Sequence, residues 1–327
     1  MRQKINLLSL LKDFDPSAPP PKISAVAAGI HRPRWSIMIP TFNCANLLRQ
    51  TLESVLSQDF GHDLMQIEVI DDCSTTDDPE AVVKEVGRGR VTFHRNEQNL
   101  GATSNFNVCI ERSRGELVHI LHGDDWVLPG FYTRLEAIVA HRPNASLYAT
   151  RSFFVDEEGV ITAVTNRICS LENGGHSYSE FVTGTALQFA GIVVRREFYE
   201  THGGFRPSLV HCADWEMWVR AINVGLGVVS PQVLSSYRVF DSNDTGRLVK
   251  TAENLKDRLR LYAVLSHNIP EFPLLDALNN LRRFSAKQAH QLQSAGDATS
   301  SEKSYLFFKQ LQALLRRNKF RFLSFLN

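Results

Sequence analysis

Residues Trp35 to Gln58 read WSIMIPTFNCANLLRQTLESVLSQ, and the spacing of the apolar side chains changes once along them. WSIMIP (Trp35 to Pro40) is a short continuous apolar run, the pattern of a strand buried on both faces. Beyond it, Leu47, Leu48, Leu52, Val55 and Leu56 recur at helical spacing, so CANLLRQTLESVLSQ reads as an amphipathic helix. Asn43 or Asn46 can cap its start. A strand followed at once by a helix is the unit from which parallel sheets are built.

The unit repeats downstream. MQIEVID (Met65 to Asp71) precedes the helical DPEAVVKEV, and RVTFHR (Arg90 to Arg95) precedes ATSNFNVCIERSR. ELVHILH precedes PGFYTRLEAIVAHR, with Pro129 in the first turn, and SLYAT reads as a fifth strand. The expected fold is therefore α/β, with a mostly parallel, doubly wound (Rossmann-like) sheet. After about residue 150 the pattern loosens. ALQFAGIVVR (Ala186 to Arg195) reads as a strand and ADWEMWVRAINVG (Ala213 to Gly225) as a helix. From about Leu248 the chain reads as helical and polar, broken at NIPEFP and SAGDATSS, which gives a helical C-terminal extension.

Composition excludes several classes. Lys+Arg 36 against Asp+Glu 35 leaves no basic excess, so nucleic acid is not an expected partner. The five cysteines (Cys44, Cys73, Cys109, Cys169 and Cys212) are widely spaced without a CxxC. That argues against a disulfide framework or a zinc site and for a reducing, cytoplasmic compartment. The segment INLLSLL is short and followed by Lys12, Asp13 and Asp15, so it reads as a short helix or tail rather than an export signal. No run of apolar residues reaches the roughly 18 needed for a membrane-spanning helix. SAPPPK (Ser17 to Lys22) is an extended linker.

In an open α/β sheet, ligands bind at the carboxyl ends of the strands. Thr41-Phe42-Asn43 follows the first strand and Asp71-Asp72-Cys73-Ser74 the second. Asn96 and Asn99-Leu100-Gly101 follow the third, and Gly123-Asp124-Asp125 the fourth. Parallel topology brings all of these to one edge, which holds four aspartates and few bases. Such an edge fits a divalent cation with oxygen ligands, Mg²⁺ or Mn²⁺, bringing a diphosphate. Neither GxxxxGK[ST] nor GxGxxG occurs, which excludes a phosphate loop and disfavours a dinucleotide site. The alternatives remain an Asx-type turn at Asp71-Asp72, a turn or helix cap at HGDDW, and a plain loop at Asn99 to Gly101.

From about Ser36 to Arg238 the chain resembles family 2 glycosyltransferases of the GT-A fold. SIMIPTFN, TLESVLSQ, VIDDCSTTD, NLGATSNFN, HGDDW, and GGFRP with ADWEMWVR are similar to that family's segments, in its order. The resemblance implies transfer of a single sugar, with inversion, from a nucleotide diphosphate, most often UDP, to a hydroxyl acceptor. By the same resemblance Pro40, Thr41, Phe42 and Asn43 line the base and ribose, and Asp72 binds the uracil or ribose. Asn99 and Gly101 belong to the donor site, Asp124 contacts the ribose or donor sugar, Asp125 coordinates the metal, and Asp214 is the catalytic base. The chain departs from the family pattern at Cys73, in place of the usual Gly, and at Phe106, where Arg is common. It departs again at Ala213, where a Glu usually precedes the base. Phe240 stands where a His often serves the metal, leaving Asp241 or Asp244 as substitutes. The Gln-x-x-Arg-Trp motif of processive members is absent.

These observations divide the chain into a tail and linker (1–34), a glycosyltransferase domain (35–247) and a helical region (248–327). Within the domain, 35–128 is the nucleotide-sugar half and 129–247 the acceptor half. The expected acceptor is a saccharide or a lipid-linked one, in cell-surface polysaccharide or glycolipid synthesis. Near the C-terminus Phe307, Phe308, Leu311, Leu314 and Leu315 share a helical face, and Arg316, Arg317, Lys319 and Arg321 mix with Phe320, Phe322 and Phe325. This reads either as a membrane-surface helix, at the inner face of the membrane, or as a helix packed on the domain or on a second subunit. Rival functions are a catalytically degenerate nucleotide-sugar-binding protein and a sugar-nucleotide pyrophosphorylase. The latter wants a glycine-rich basic loop that TFNCAN does not offer.

Overall fold

The computed structural model describes residues 10–11, 14–175, 179–182, 184–240 and 244–323, with the backbone course alone at 179, 244–245 and 317–323. The chain divides into two compact units. The larger comprises Pro19–Ser208 and Asp214–Val239; the smaller comprises Met1–Ala18, Leu209–Ala213 and Phe240–Asn327.

The larger unit opens with β1 (Trp35–Thr41), α1 (Ala45–Leu56), β2 (Met65–Asp71), α2 (Pro79–Gly87), β3 (Thr92–Arg95), α3 (Ala102–Arg112) and β4 (Leu117–Ile120). β1 and β2 are buried at every residue, as their unbroken apolar runs require. Leu48, Leu52 and Val55 of α1 pack on the side chains of Trp35, Ile37 and Ile39 from β1, all at or near zero exposure. Each such burial stabilises the fold by about 1.5–3 kcal/mol. The amide at the head of α1 is capped neither by Asn43 nor by Asn46. Ala45 N donates to Asp77 Oδ2 at 2.6 Å, a carboxylate 32 positions away in sequence.

The expected parallel order holds through these four strands, which lie as β3-β2-β1-β4. The second half is mixed. It contains β5 (Trp126–Val127), α4 (Phe131–His141), β6 (Leu147–Val155), β7 (Ile161–Val164), β8 (Ile192–Arg195), α5 (Arg196–His202), α6 (Ala213–Val224) and β9 (Gly227–Arg238). The sheet continues β4-β8-β6-β9-β5, with β7 beside β6. β8 runs antiparallel to both β4 and β6, while β9 is parallel to β6. Because β8 reverses direction twice over, β6 and β9 run the same way as β1 to β4, and their carboxyl ends fall on the same edge.

The smaller unit carries α7 (Asp244–Thr251), α8 (Glu253–Asn268), α9 (Leu274–Ser294) and α10 (Ala298–Leu323). A buried polar chain links three of them: Asn254 Nδ2 donates to Gln288 Oε1 at 2.8 Å, and Gln288 Nε2 donates to Ser304 Oγ at 3.1 Å. Asp257 on α8 is fully buried and accepts from His211 N and Cys212 N, both at 2.8 Å. Phe307 and Leu311 of α10 are buried, so this part of the apolar stripe packs within the protein. Asp241, the side chain of Asp244 and the side chains of Arg317 to Phe325 lie outside the described residues. No described helix is long and apolar enough to cross a membrane.

Candidate active site

The edge formed by the strand ends is stitched together by main-chain bonds. Asp72 N donates to Thr41 O, Asn96 N to Asp71 O, and Gly123 N to Pro40 O, each at 2.9–3.0 Å. Thus Pro40, Thr41, Asp72 and the HGDDW loop meet on one edge, as expected. Gly123 can approach so closely because it lacks a Cβ. One added there would stand 3.1 Å from both Cys44 Sγ and Thr41 Oγ1.

Asn43 holds two loops together. Its Oδ1 accepts from Thr75 N at 2.8 Å and Thr76 N at 3.1 Å, and its own N donates to Ser74 Oγ. Phe42 beside it is 47% exposed, an apolar face open to a planar ligand. The neighbouring acid pair is fully engaged. Asp71 accepts from Ser74 Oγ at 2.5 Å, from Arg95 Nε at 2.6 Å and from the backbone Ser74 N at 3.2 Å, so here the Asx-type turn is real. Asp72 Oδ1 accepts from Asn96 Nδ2 at 2.8 Å and Leu100 N at 2.9 Å, and its Oδ2 from Gly101 N at 2.9 Å. Asn99 Nδ2 donates to Asp72 O at 3.0 Å. Asp72 therefore fixes the Asn99–Gly101 segment, whose Gly101 has φ 80° in the region that favours glycine. Cys73, standing where the family pattern has Gly, takes the same left-handed region at φ 63°.

The second acid pair is held differently. Thr51 Oγ1 on α1 donates to Asp125 O at 2.7 Å and Gly123 O at 3.0 Å. Arg238, at the end of β9, braces the loop. Its N donates to Asp125 Oδ1 at 2.8 Å, its Nε to Asp124 O at 3.1 Å and its Nη2 to Gln50 Oε1 at 2.8 Å. Its guanidinium lies over the Trp126 ring at 5.0 Å. Arg95 and Arg238 correct the expectation of an edge with few bases. Both were visible in the sequence, but nothing there placed them beside the acids.

Asp125 is 1% exposed, and its Oδ2 has no hydrogen-bond partner among the described residues. Burial, then the neighbouring Asp124, push its pKa well above the usual carboxylate range, against the opposing pull of Arg238. His122 Nε2 is likewise buried without a partner among the described residues. Burial holds the His122 pKa below its ordinary value. His122, Asp124 and Asp125 each offer one ligand atom, all within 4.8 Å of one another. Carboxylate oxygens with an imidazole nitrogen, one oxygen lacking any donor, are a donor set that suits a divalent cation. The residues present therefore fit the expected ion. His122 was missed in the sequence, where HGDDW drew attention to its acids alone.

Around His122 the structure builds an aromatic wall. The Phe106 ring stacks on the imidazole at 5.1 Å and 9°, and Phe189 lies 4.5 Å away. Phe106, at the position where the family pattern commonly has Arg, thus gives the site an apolar wall. Phe189 also meets Trp218 at 5.1 Å. Trp218 and Asp214 stand one helical turn apart on α6, hence on one face. Through Trp218 and Phe189 that face connects to His122. Asp214 is half-buried in the first turn of α6. Trp215 and Trp218 are 2% and 1% exposed, and Trp215 Nε1 donates to Phe181 O at 2.8 Å, so both belong to the core. Glu216, two residues after Asp214, is bound by Arg206 and Arg220.

Known proteins share the fold and parts of the sequence. The chain is similar to an uncharacterized protein of Mycobacterium tuberculosis, 28% identical over 249 residues, 73% of this chain and 77% of that one. It is also similar to the UDP-Glc:alpha-D-GlcNAc-diphosphoundecaprenol beta-1,3-glucosyltransferase WfaP of Escherichia coli, 22% identical over 71% of this chain and 88% of that one. Its fold is similar to that of Staphylococcus aureus TarS 1–349 in complex with UDP-GlcNAc, with TM-score 0.54 and 15% identity over 85% of this chain and 92% of that one. It is similar too to the mannosyltransferase PcManGT of Pyrobaculum calidifontis in complex with GDP-Man and Mn²⁺, with TM-score 0.51 and 17% identity over 94% and 90%. The sequence model of glycosyl transferase family 2 matches residues 36–203, just over half of the chain. This GT-A protein is a glycosyltransferase and belongs to glycosyl transferase family 2.

Proposed function

We propose that the chain is an inverting, non-processive glycosyltransferase. It moves one sugar from a nucleotide diphosphate donor, UDP-linked, to a hydroxyl of a saccharide or lipid-linked acceptor, in the building of cell-surface polysaccharide or glycolipid. The observation that carries this is the buried Asp125 oxygen without a donor among the described residues, beside Asp124 and His122 on the strand edge. A buried carboxylate without a partner costs several kcal/mol unless a cation compensates it. Mn²⁺ or Mg²⁺ held there supplies Lewis acidity toward the negative charge that develops on the leaving diphosphate.

The chain's own residues do the rest. Phe42 presents its exposed ring to the base, while Pro40, Thr41 and Asn43 shape the wall that meets base and ribose. Asp72, whose carboxylate also holds the Asn99–Gly101 segment in the donor site, binds the uracil or ribose. Asp124 meets the ribose or donor sugar. Asp214 takes the proton from the acceptor hydroxyl as that oxygen attacks the anomeric carbon. Attack from the side opposite the diphosphate inverts the carbon and needs no covalent intermediate. The half from 35 to 128 serves the donor and that from 129 to 247 the acceptor, with 248–327 a helical region.

Two further observations support the setting. WfaP, by its name, uses UDP-glucose and a diphosphoundecaprenol-linked acceptor, which supports a UDP donor and a lipid-linked acceptor here. All five cysteines are free, in keeping with the cytoplasm. The test is a transfer assay over a panel of UDP-, GDP- and dTDP-sugars, with the product's anomeric configuration read by NMR and its length by mass spectrometry. One added residue of inverted configuration is expected. Retained configuration, or a ladder of added residues, contradicts the proposal.

A further inference from the structure

The cation in the proposed function rests on Asp125 and Asp124, the two acids that motif reading singles out. We propose that the imidazole of His122 is a direct ligand to the same cation, making a mixed nitrogen and oxygen site that selects Mn²⁺ or Co²⁺ over Mg²⁺. This deepens the proposed function and depends on its cation.

The backbone puts the ring where a ligand belongs. Leu121 N donates to Met38 O and Gly123 N to Pro40 O, so residue 122 sits in an extended continuation of β4. Side chains alternate along such a segment. Leu121 goes into the core, fully buried, and His122 to the other face. The chain then turns, with Asp125 N donating to His122 O at 3.1 Å, which returns the carboxylate three residues on to the imidazole. His122 Nδ1 stands 3.8 Å from Asp125 Oδ2, the oxygen without a donor among the described residues. Two ligand atoms each about 2.1 Å from one ion are about 3–4 Å apart, so the gap is of cation size.

The ring is also held in place. Phe106 stacks on one face at 9°, Phe189 crowds it at 4.5 Å, and these two rings meet each other at 4.9 Å. A ligand fixed by packing keeps its nitrogen aimed before the ion arrives, a service that a hydrogen bond from the far ring nitrogen more often gives to metal-binding histidines. With Nδ1 turned to the ion, the proton would sit on Nε2, which is buried without a partner among the described residues. A histidine that merely filled the core would have no reason to face two carboxylates with a side chain still 24% exposed. The chemical consequence follows from ligand type. Carboxylate and phosphate oxygens suit Mg²⁺ and Mn²⁺ alike, whereas imidazole is a poor ligand for Mg²⁺ and a better one for transition ions, for Co²⁺ more than for Mn²⁺.

The experiment is pulsed EPR of the full-length protein with UDP and one equivalent of Mn²⁺, beside calorimetric titrations of Mn²⁺ and Mg²⁺. The unaltered protein is expected to show ¹⁴N modulation from a directly bound imidazole. His122→Gln is expected to bind Mn²⁺ through the acids without that modulation, and with about 10-fold or greater loss of affinity. His122→Asp, an all-oxygen site, is expected to keep Mn²⁺ and to narrow the Mn²⁺-to-Mg²⁺ preference. The two variants guard against loss of fold, which circular dichroism checks in each. Mn²⁺ bound without nitrogen modulation, or with unchanged affinity and preference in both variants, overturns the role of His122 alone. No Mn²⁺ binding to the unaltered protein with UDP overturns the cation and the His122 ligand together.

Discussion

Two acid pairs, Asp71-Asp72 and Asp124-Asp125, follow strands of the same sheet and look alike in sequence. Their surroundings are opposite. Every carboxylate oxygen of the first pair has a donor, from Ser74, Arg95, Asn96 or the amides of Leu100 and Gly101. In the second pair Asp125 keeps one buried oxygen without a partner among the described residues, next to another acid and an imidazole. The first pair uses its charge to hold backbone in place. The second holds a buried acid that the described residues compensate only in part, through Arg238. Acids at a strand edge are thus not one class of residue, and their partners distinguish an acid that also holds backbone from one left open to a cation.

The contrast breaks most visibly at Asp125. Asp125→Asn keeps the shape and can still accept from Arg238 N, yet removes the charge that faces the cation. Transfer activity is expected to fall about 10³-fold, while the melting temperature of the metal-free protein holds or rises because a buried acid that resists ionisation is replaced by a neutral amide. A variant that stays active, or melts far lower, would put Asp125 with the scaffold acids.

Asp214→Asn sharpens the division from the other side of the reaction. Steady-state kinetics should show kcat down roughly 10²-fold or more with the KM for the donor little changed, since only proton removal is lost. Equal losses in donor binding would move Asp214 out of the role of base.

Asp72→Asn should do the reverse of Asp125→Asn. An amide cannot accept on both sides, so the bonds to Leu100 N or Gly101 N weaken, at about 1.5–3 kcal/mol. Melting is expected to fall by roughly 5–10 °C, and hydrogen exchange should speed up at Leu100 and Gly101. Unchanged melting would show that the first pair does not hold the loop. The smallest effect is expected at Cys73, whose φ of 63° glycine adopts more easily. Cys73→Gly should raise stability by about 0.5–1 kcal/mol in a denaturant titration, offset in part by the greater freedom of the unfolded chain.

Much of the scaffold was legible in the sequence because burial on both faces leaves an unbroken apolar run. WSIMIP and MQIEVID announced β1 and β2, and the 3.6-residue spacing announced α1. β9 was not legible, since GVVSPQVLSSYR alternates polar residues and carries Pro231. β7 is exposed throughout, and β5 is two residues long, so neither leaves an apolar pattern. The reversal of β8 depends on where the chain re-enters the sheet, which local spacing does not encode. At the site, the motif acids could be found by type and position, but their partners are distant in sequence. Asp77 caps α1 from 32 residues away, and Arg238 reaches Asp125 across 113. His122 was hidden for a different reason: an imidazole among apolar residues reads as core until its neighbours are known.

The most direct test of the central claim, that the second acid pair gathers a cation and a diphosphate, is a calorimetric titration of UDP into the protein with and without Mn²⁺. Coupled binding is expected: Mn²⁺ should tighten UDP at least about 10-fold in the unaltered protein, close to 1.4 kcal/mol, and not at all in Asp125→Asn. UDP affinity indifferent to the ion, or the same coupling retained in Asp125→Asn, would contradict it.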